Sequence, residues 1–179
     1  LATAVQGQQI LELPRAITGR SDEPDLRPLL APLRAGWDLG LLSEAGLPAV
    51  ADPGARLVAL AHAEGFAVRS LPGSSSLTQA LAASGLHGQC FAFQGYLPQD
   101  ATQRAARIRE LESLSRKLGQ TQQVIETPYR NVALLAALLQ SLQPSTRLAV
   151  SLSLTTEREW TRSATVSAWR AAPATLPND

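Results

Sequence analysis

Apolar and polar positions repeat one arrangement three times along the chain: a short apolar run, a turn rich in Gly, Pro and Ser, and then apolar residues at helical spacing. In the first copy, "GWDLGLL" (residues 36–42) predicts a short buried strand. The stretch "DPGARLVALAHAEG" predicts a helix that Asp52 caps, Pro53 begins and Gly65 ends. The predicted buried stripe of this helix consists of Leu57, Leu60 and Ala61.

The second copy is "FAVRSLPGSSSLTQALAASG". Residues 66–71 alternate between apolar and polar positions, which predicts a strand. A Pro-Gly turn and three serines follow, and helical spacing from Leu77 to Ser84 predicts a helix that ends at Gly85.

The third copy is "QQVIETPYRNVALLAALLQSL". Residues 122–126 predict a strand, Thr127 is placed to cap a helix, and Pro128 takes its first position. The predicted buried face of that helix consists of Leu135, Leu138, Leu139 and Leu142. Three strand–turn–helix units in a row predict an α/β fold with a largely parallel sheet, in which ligands lie beyond the carboxyl ends of the strands.

A second region begins near "CFAFQGYLPQD", where Phe91 and Phe93 alternate with smaller residues as in a strand. Residues 101–118 predict a charged amphipathic helix with Ile108, Leu111, Leu114 and Leu118 directed inward. The stretch "RLAVSLSLTTEREWTRSATVSAW" predicts two strands joined by a turn as an antiparallel pair. We place the domain boundary near residues 88–93, which gives an N-terminal α/β domain over residues 1–90 and a C-terminal α/β domain over residues 91–179.

Composition excludes several functional classes. The formal net charge of +1 gives no general attraction to a polyanion, although every basic residue except Lys117 is an arginine. The single cysteine, Cys90, excludes an internal disulfide framework, and with no apolar run long enough to span a membrane we expect a cytoplasmic protein without membrane association. No metal-ligand pattern occurs, and the two histidines, His62 and His87, are interpreted as structural or surface residues. The sequence contains no methionine, so we expect a fragment or a chain from which residues are missing.

Four stretches in this order carry a more specific signal: "SEAGLPAVADPG", "LPGSSSLTQALAASGL", "FAFQGYLP" and "IETPYR". Together they resemble the tetrapyrrole methylase superfamily of S-adenosylmethionine-dependent methyltransferases, closest to the branch of the small-subunit rRNA (cytidine-2'-O-)-methyltransferases. The resemblance implies two α/β domains of the tetrapyrrole methylase type, usually dimeric, with S-adenosyl-L-methionine bound in the cleft between the domains. It also implies methyl transfer to an acceptor.

Carried over position by position, the resemblance implies a set of cofactor-binding residues in this chain. These are Gly46, Leu47, Pro48 and Val50 of the first loop, Ser75 and Ser76 of the second turn, Gly95 and Tyr96, and Glu126 and Thr127. Residues 151–154 are matched to a strand on the adenine side of the cofactor. The chain departs from the branch at several of its motifs: Glu44 replaces Asp, Leu47 replaces Thr, Ser74 replaces Pro, Thr127-Pro128-Tyr129 replaces Ser-Pro-His, and "SLSLTTEREW" lacks the branch's lysine.

Methyl transfer requires above all that donor and acceptor are held in line, so no catalytic triad or metal is expected. A ribose hydroxyl would also need a general base, for which Glu44 and Glu126 are candidates, although either could instead bond to nearby backbone amides. Tyr96 and Tyr129 could stack on a planar substrate or serve only the structure.

Several functions remain open at this point. The acceptor is an RNA ribose, an unidentified small molecule or, ranked third, a tetrapyrrole. If the substrate is RNA, Arg104 and Arg107 would contact its phosphates, whereas otherwise they are simply solvated. The alternative function is a non-catalytic cofactor-binding relative of the same fold. An unrelated α/β nucleotide-binding protein is a third, weaker hypothesis, and the Gly-x-Gly-x-x-Gly fingerprint that a dinucleotide site would need is not present in the chain.

Overall fold

A computed structural model describes residues 7–14, 24–43 and 46–176 of the 179-residue chain. The chain divides into two compact units, Leu1–Ser74 and Ser75–Asp179. The division precedes the domain boundary expected near residues 88–93, because the helix Ser76–Ser84 packs on the strands of the second unit. The boundary expected for the two domains of the fold stays a prediction.

The first unit is helical in the residues that the structure describes. A 3₁₀ turn, Arg27–Leu30, leads into the short helix α1 (Ala31–Arg34), and α2 (Ala55–Ala63) follows after the Gly- and Pro-rich loop. The core of this unit consists of Leu26, Leu30, Leu57 and Ala61. Of the stripe predicted for α2, Leu57 and Ala61 are buried and Leu60 packs against them.

The two strands predicted for this unit are not found. Residues 37–43 and 66–74 have no regular structure. Of the apolar positions that suggested strands, Leu41 and Phe66 pack against the core of this unit, whereas Leu42 and Leu71 are 86% and 76% exposed. A strand is stable only with a partner that pairs its backbone groups, and none is assigned among the described residues of this unit.

The start of α2 also differs from the prediction. The N-cap is Gly54 and not Asp52, because Gly54 has φ +132°, a value that ends any helical conformation before Ala55. The φ of +132° favours glycine at this position, and a Cβ atom at Gly54 would also require the Leu41 side chain to shift, because it would lie 2.5 Å from Cδ2 of Leu41. The predicted C-terminal end is confirmed: Gly65 follows the helix with φ +80°.

Exposed ion pairs of the first unit involve Arg34 and Arg27. Arg34 of α1 donates hydrogen bonds from Nε (2.7 Å) and Nη2 to the carboxylate of Glu64, the C-cap residue of α2. These hydrogen bonds hold the pKa of Glu64 below its usual value of 4.5. In the same way, hydrogen bonds from the side chain and backbone of Arg27 lower the pKa of Asp25.

The second unit contains the α/β structure that the sequence predicts. Strand β1 (Phe91–Phe93) pairs in parallel with β2 (Thr121–Gln123), and α4 (Ala101–Leu118) connects them. In chain order, α3 (Ser76–Ser84) precedes β1, while a 3₁₀ turn, Pro128–Arg130, follows β2 and leads into α5 (Asn131–Ser141). Helix α4 has the predicted bounds, because Asp100 Oδ1 accepts a hydrogen bond from the Gln103 amide (2.8 Å) and Gly119 takes φ +60° after the last turn.

A ladder of side-chain amides lies between α4 and the parallel pair. Gln94 Nε2 donates to Gln122 Oε1 (2.7 Å), and Gln122 Nε2 donates to Gln120 Oε1 (2.8 Å). Arg107 Nη2 donates to Gln94 Oε1 (2.8 Å), which connects the ladder to α4. These partly buried amides are thereby satisfied across the two strands.

The antiparallel pair is confirmed as β3 (Arg147–Leu152) and β4 (Trp160–Thr165), with Leu152 opposite Trp160. The predicted second strand, however, ends early. Thr165 Oγ1 accepts a hydrogen bond from the Ala168 amide (3.2 Å) and so caps a last helix, α6 (Val166–Ala171). Trp169 of α6 is fully buried, and its Nε1 donates to the Leu148 carbonyl (2.9 Å).

Candidate functional site

The carboxyl ends of β1 and β2 bring two of the sequence motifs together. The Gln94 amide donates to the Gln123 carbonyl (2.8 Å), and the Ile125 amide donates to the Gly95 carbonyl (3.1 Å). The segment with Gly95 and Tyr96 therefore runs beside the segment with Glu126 and Thr127. This is the edge of a parallel pair at which α/β proteins place ligands.

The start of α3 reaches the same edge. Gln123, the last residue of β2, donates a hydrogen bond from Nε2 to the Leu77 carbonyl in the first turn of α3 (2.9 Å). The N-cap residue Ser75 is extended, and within the described part of the chain no side chain caps the amides of this turn. These free amides are donors that a ligand can use.

A cavity of about 820 Å³ lies in the second unit, a volume within the usual range for ligand sites. Ser76, Glu126 and residues 151–154 line it together with leucines of α3, α4 and α5. The remaining predicted cofactor residues of this unit are not among its lining residues: Ser75, Gly95, Tyr96 and Thr127. The structure thus brings Ser76 and Glu126 to one cavity. Ser75 and Thr127 are next to them in the chain, and Gly95 is hydrogen-bonded to Ile125, the residue before Glu126.

Glu126 is a buried polar group of this cavity with several hydrogen-bond donors around it. Its carboxylate Oε1 accepts hydrogen bonds from Arg130 Nε (2.9 Å) and Nη2 (2.6 Å) and from the Thr127 amide (2.8 Å). Only 7% of the Glu126 side chain is exposed, against 24% for Arg130. Sequence analysis left two roles open for Glu126, a general base or an acceptor for a nearby backbone amide. The hydrogen bond from the Thr127 amide shows that the second role is present.

Gln123 contributes an unsatisfied acceptor to the cavity wall. Its Oε1 is buried and has no hydrogen-bond partner among the described residues, while Nε2 is used by Leu77. A buried amide oxygen without a donor is costly, so it is typical of a site where a partner is missing.

The first predicted loop belongs to the first unit. Gly46 has φ +81°, and Ala49 and Ala51 have φ +65° and +57°, which is uncommon for residues other than glycine. The Val50 amide donates to the Leu47 carbonyl (3.1 Å) in a tight turn that includes Pro48. The loop therefore presents main chain in a constrained conformation, as the sequence suggests; Glu44, the other candidate base, lies outside the described residues.

The two arginines considered for phosphate contacts are engaged within the second unit. Arg107 binds Glu110 Oε2 (2.7 Å) as well as Gln94, and Arg104 Nη1 donates to the Gln99 carbonyl (2.9 Å). Tyr96 and Tyr129, by contrast, are 59% and 81% exposed. Of the aromatic and basic candidates, the tyrosines are the more accessible.

Sequence analysis missed Glu112, which lines the cavity and whose side chain is only 7% exposed. Its Oε1 accepts hydrogen bonds from the Gln143 amide (2.9 Å) and from the Thr146 hydroxyl, and Arg116 lies 3.2 Å away. The sequence signal that could have identified Glu112 was its position next to Leu111 on the apolar face of α4.

In the described residues no cluster of three His, Cys, Asp or Glu side chains could hold a metal ion. None of the helices that the structure describes could span a membrane.

Comparison with known proteins agrees with the motifs. The family model for Tetrapyrrole (Corrin/Porphyrin) Methylases matches residues 14–169. Ribosomal RNA small subunit methyltransferase I of Mesorhizobium japonicum is 36% identical over 140 residues, which cover 78% of this chain and 46% of that protein. The proteins of the same name from Synechocystis and Micromonospora olivasterospora are 38% and 41% identical, over 80% and 66% of this chain and 46% and 36% of their own lengths.

The chain therefore spans less than half the length of these curated relatives. Among solved structures, the methyltransferase CobJ superposes with a TM-score of 0.46 at 18% identity, over 73% of this chain and 56% of that one. That likeness is too slight to add to the comparison.

Proposed function

Because the chain belongs to the tetrapyrrole methylase family, we propose that it functions as an S-adenosylmethionine-dependent methyltransferase whose acceptor is a ribose hydroxyl of RNA. The match of the family model to residues 14–169 is the observation that carries this proposal. The names of the relatives support ribosomal RNA as the acceptor class. A small-molecule acceptor is the alternative for the same site.

The residues of the second unit fit the cofactor. S-adenosylmethionine carries a carboxylate at one end and N–H and O–H donors on its amino group and ribose. The uncapped first turn of α3 at Ser76 offers amide donors to a carboxylate, and the acceptors on the cavity wall are Glu126 and Gln123 Oε1. Donors and acceptors of the protein and the cofactor are therefore complementary.

The remaining predicted residues take supporting roles in this proposal. The constrained loop with Gly46, Leu47, Pro48 and Val50 would contact the cofactor through main-chain groups. Ser75, Gly95, Tyr96 and Thr127 would hold the neighbouring backbone in place or border the acceptor. The exposed rings of Tyr96 and Tyr129 would pack on a planar acceptor.

When bound, the cofactor supplies a methyl group on a sulfonium, whose leaving group is neutral. The chain's own task is to orient the acceptor in line with that bond and to exclude water, which accounts for a large part of such rate enhancements. Either Glu44 or Glu126 would receive the hydroxyl proton in this scheme. Since Arg130 and the Thr127 amide already bind Glu126, we assign Glu126 chiefly to binding.

Three further expectations rest on the resemblance. The protein would act as a homodimer in the cytoplasm, and its two domains would meet near residues 88–93 with the cofactor between them. Sedimentation equilibrium of the purified chain would test the dimer, and limited proteolysis would test the boundary. A monomer at micromolar concentration, or cleavage only near residue 74, would contradict the respective expectation.

Calorimetric titration with S-adenosylmethionine and S-adenosylhomocysteine tests the proposed function. We expect micromolar affinity for at least one of them, followed by transfer of a labelled methyl group to small-subunit ribosomal RNA that lacks the modification. Binding without transfer to RNA or to small acceptors would favour the non-catalytic relative. A folded chain that binds neither compound would overturn the proposal.

Gly46→Val tests the contribution of the first loop. No other described atom beyond its two neighbours lies within 4 Å of a Cβ built at Gly46, so the substitution fills open space and costs mainly backbone strain. We expect a folded variant with cofactor affinity lowered about tenfold or more. Gly36→Val, at another open glycine with φ +83°, is the matched control and should leave affinity unchanged.

A further inference from the structure

The ion pair of Glu126 with Arg130 is one-sided. In the part of the chain that the structure describes, every hydrogen bond to this carboxylate ends on Oε1: two from Arg130, one from the Thr127 amide and a longer one from the Thr127 hydroxyl (3.3 Å). The second oxygen, Oε2, accepts none of them. An ionised carboxylate has about four acceptor sites, so half of its capacity is left on Oε2.

Burial makes this asymmetry significant. With 7% of its side chain exposed, Glu126 has given up most of its hydration, and a buried carboxylate is stable only where donors replace that water. Arg130 supplies the compensating charge but is not among the residues that line the cavity, whereas Glu126, Pro128 and Asn131 are. The cation that pairs with Oε1 is thus not part of the cavity wall, whereas Glu126 is.

We propose that Arg130 is a positioning residue that binds Oε1 of Glu126 and so directs Oε2 into the cavity, where it accepts a hydrogen bond from a donor of the cofactor. This inference rests on the proposed function and names the group that the site recognises: an ammonium or a ribose hydroxyl, but not a carboxylate or phosphate. These two donors can be distinguished with 5'-methylthioadenosine, which has the ribose hydroxyls but lacks the ammonium group.

Glu126→Gln tests the acceptor role with almost no change in shape. Because Arg130 carries only donors, the new amide must turn its oxygen towards Arg130, which leaves its NH₂ group facing the cavity. A cofactor donor would then meet a donor. We expect affinity for S-adenosylhomocysteine to fall about 10- to 100-fold, the size expected for a charge-assisted hydrogen bond.

Glu110→Gln is the matched control. Glu110 also pairs with an arginine of this unit, Arg107, at 2.7 Å, but its side chain is 58% exposed and does not line the cavity. This variant should bind S-adenosylhomocysteine within about twofold of the wild type. Calorimetry of both variants with 5'-methylthioadenosine identifies the donor group. If Glu126→Gln loses as much affinity for this compound as for S-adenosylhomocysteine, the donor is a ribose hydroxyl. If its affinity for this compound is unchanged, the donor is the ammonium.

Arg130 itself is tested by two substitutions. Arg130→Met leaves the carboxylate free to turn and should lose affinity at least as strongly as Glu126→Gln, whereas Arg130→Lys keeps a cation behind Oε1 and should restore part of it. A purely structural role would lower the unfolding temperature of both Arg130 variants without this recovery of affinity. Circular dichroism melts of each variant identify any that fail to fold, and Glu126→Gln then decides the question alone.

The outcomes separate the two proposals. If the wild type binds S-adenosylhomocysteine and folded Glu126→Gln binds it equally well, the role of Oε2 is wrong while the proposed function stands. If the folded wild type binds neither S-adenosylmethionine, S-adenosylhomocysteine nor 5'-methylthioadenosine, both are wrong. A loss confined to Glu126→Gln and Arg130→Met, with recovery in Arg130→Lys, supports the positioning role.

Discussion

Gln123 Nε2 donates a 2.9 Å hydrogen bond to the main-chain carbonyl of Leu77, a residue 46 positions earlier in the chain. The bond connects the last residue of β2 to the first turn of α3. It therefore helps to hold the uncapped start of α3 close to the segment that carries Glu126.

Gln123→Leu should loosen the start of α3 without unfolding the second unit. Leucine fills a similar volume and also removes the buried unsatisfied Oε1, so the free energy of unfolding should fall by about 1 kcal/mol or less. Hydrogen exchange of the α3 amides should become faster. Gln140→Leu, on the exposed side of α5, is the control, and equal exchange in both variants would show that the bond does not hold α3.

Gly54→Ala should destabilise the first unit more than Gly46→Ala. At Gly54 the new Cβ would lie 2.5 Å from Leu41 Cδ2 and the backbone would be held at φ +132°, whereas at Gly46 the site is open and φ is +81°. Leu41 can move its methyl group aside, so most of the cost is conformational, about 1–3 kcal/mol at Gly54 and about 1 kcal/mol at Gly46. Urea denaturation of the two variants measures the difference, and the reverse order would contradict the backbone described here.

Glu112→Ala should be strongly destabilising for the second unit. The substitution leaves the Gln143 amide and the Thr146 hydroxyl without their buried acceptor, which costs about 3 kcal/mol. Urea denaturation gives the value directly. Glu110→Ala, two positions earlier and exposed to solvent, should change stability by about 0.5 kcal/mol or less, and similar losses in both variants would refute the role of Glu112.

The stability of the first unit should depend on pH through Glu64. Arg34 lowers the pKa of Glu64 from 4.5, so the folded state binds this proton less readily than the unfolded chain. The contribution is fully present above pH 4.5 and is lost as the pH falls through the lower folded pKa. Glu64→Gln should abolish this part of the acid sensitivity.

Denaturation midpoints of the wild type and Glu64→Gln between pH 7 and pH 3 test that dependence. Arg34→Met should produce the same change, and the double variant should add nothing to either single one. The effect should shrink at high salt, since the pair is exposed to solvent. Parallel curves for the wild type and Glu64→Gln would contradict it.

Local signals explain which elements the sequence predicted correctly. Helix α4 was predicted with its observed bounds, because Asp100 and Gly119 act on the backbone next to them and the apolar spacing needs no distant partner. The strands predicted at residues 36–42 and 66–71 were wrong, since a strand depends on a second segment that its own sequence does not identify. The helix at residues 166–171 was missed because the cap by Thr165 was taken for the continuation of a strand.

In the candidate site too, the sequence predicts local contacts better than contacts between distant segments. Glu126 and Arg130 form an ion pair within one short segment, whereas the approach of Leu77 to Gln123 depends on how α3 packs within the second unit. Glu112 was not singled out from the sequence, because its partners Gln143 and Thr146 lie 31 and 34 residues further on. Motifs therefore identified the family, and tertiary contacts determine which of their atoms face the cavity.

The hydrogen bonds among the side-chain amides of Gln94, Gln122 and Gln120 favour one register of β1 against β2. Each of these strands has only three residues, so backbone pairing alone distinguishes weakly between one alignment and the next. A slip of one residue would carry Gln122 to the opposite face from Gln94, leaving both amides partly buried without each other and breaking the connection to Arg107. The glutamines thus favour the native alignment of the two strands, because a shifted alignment would leave these amides without partners.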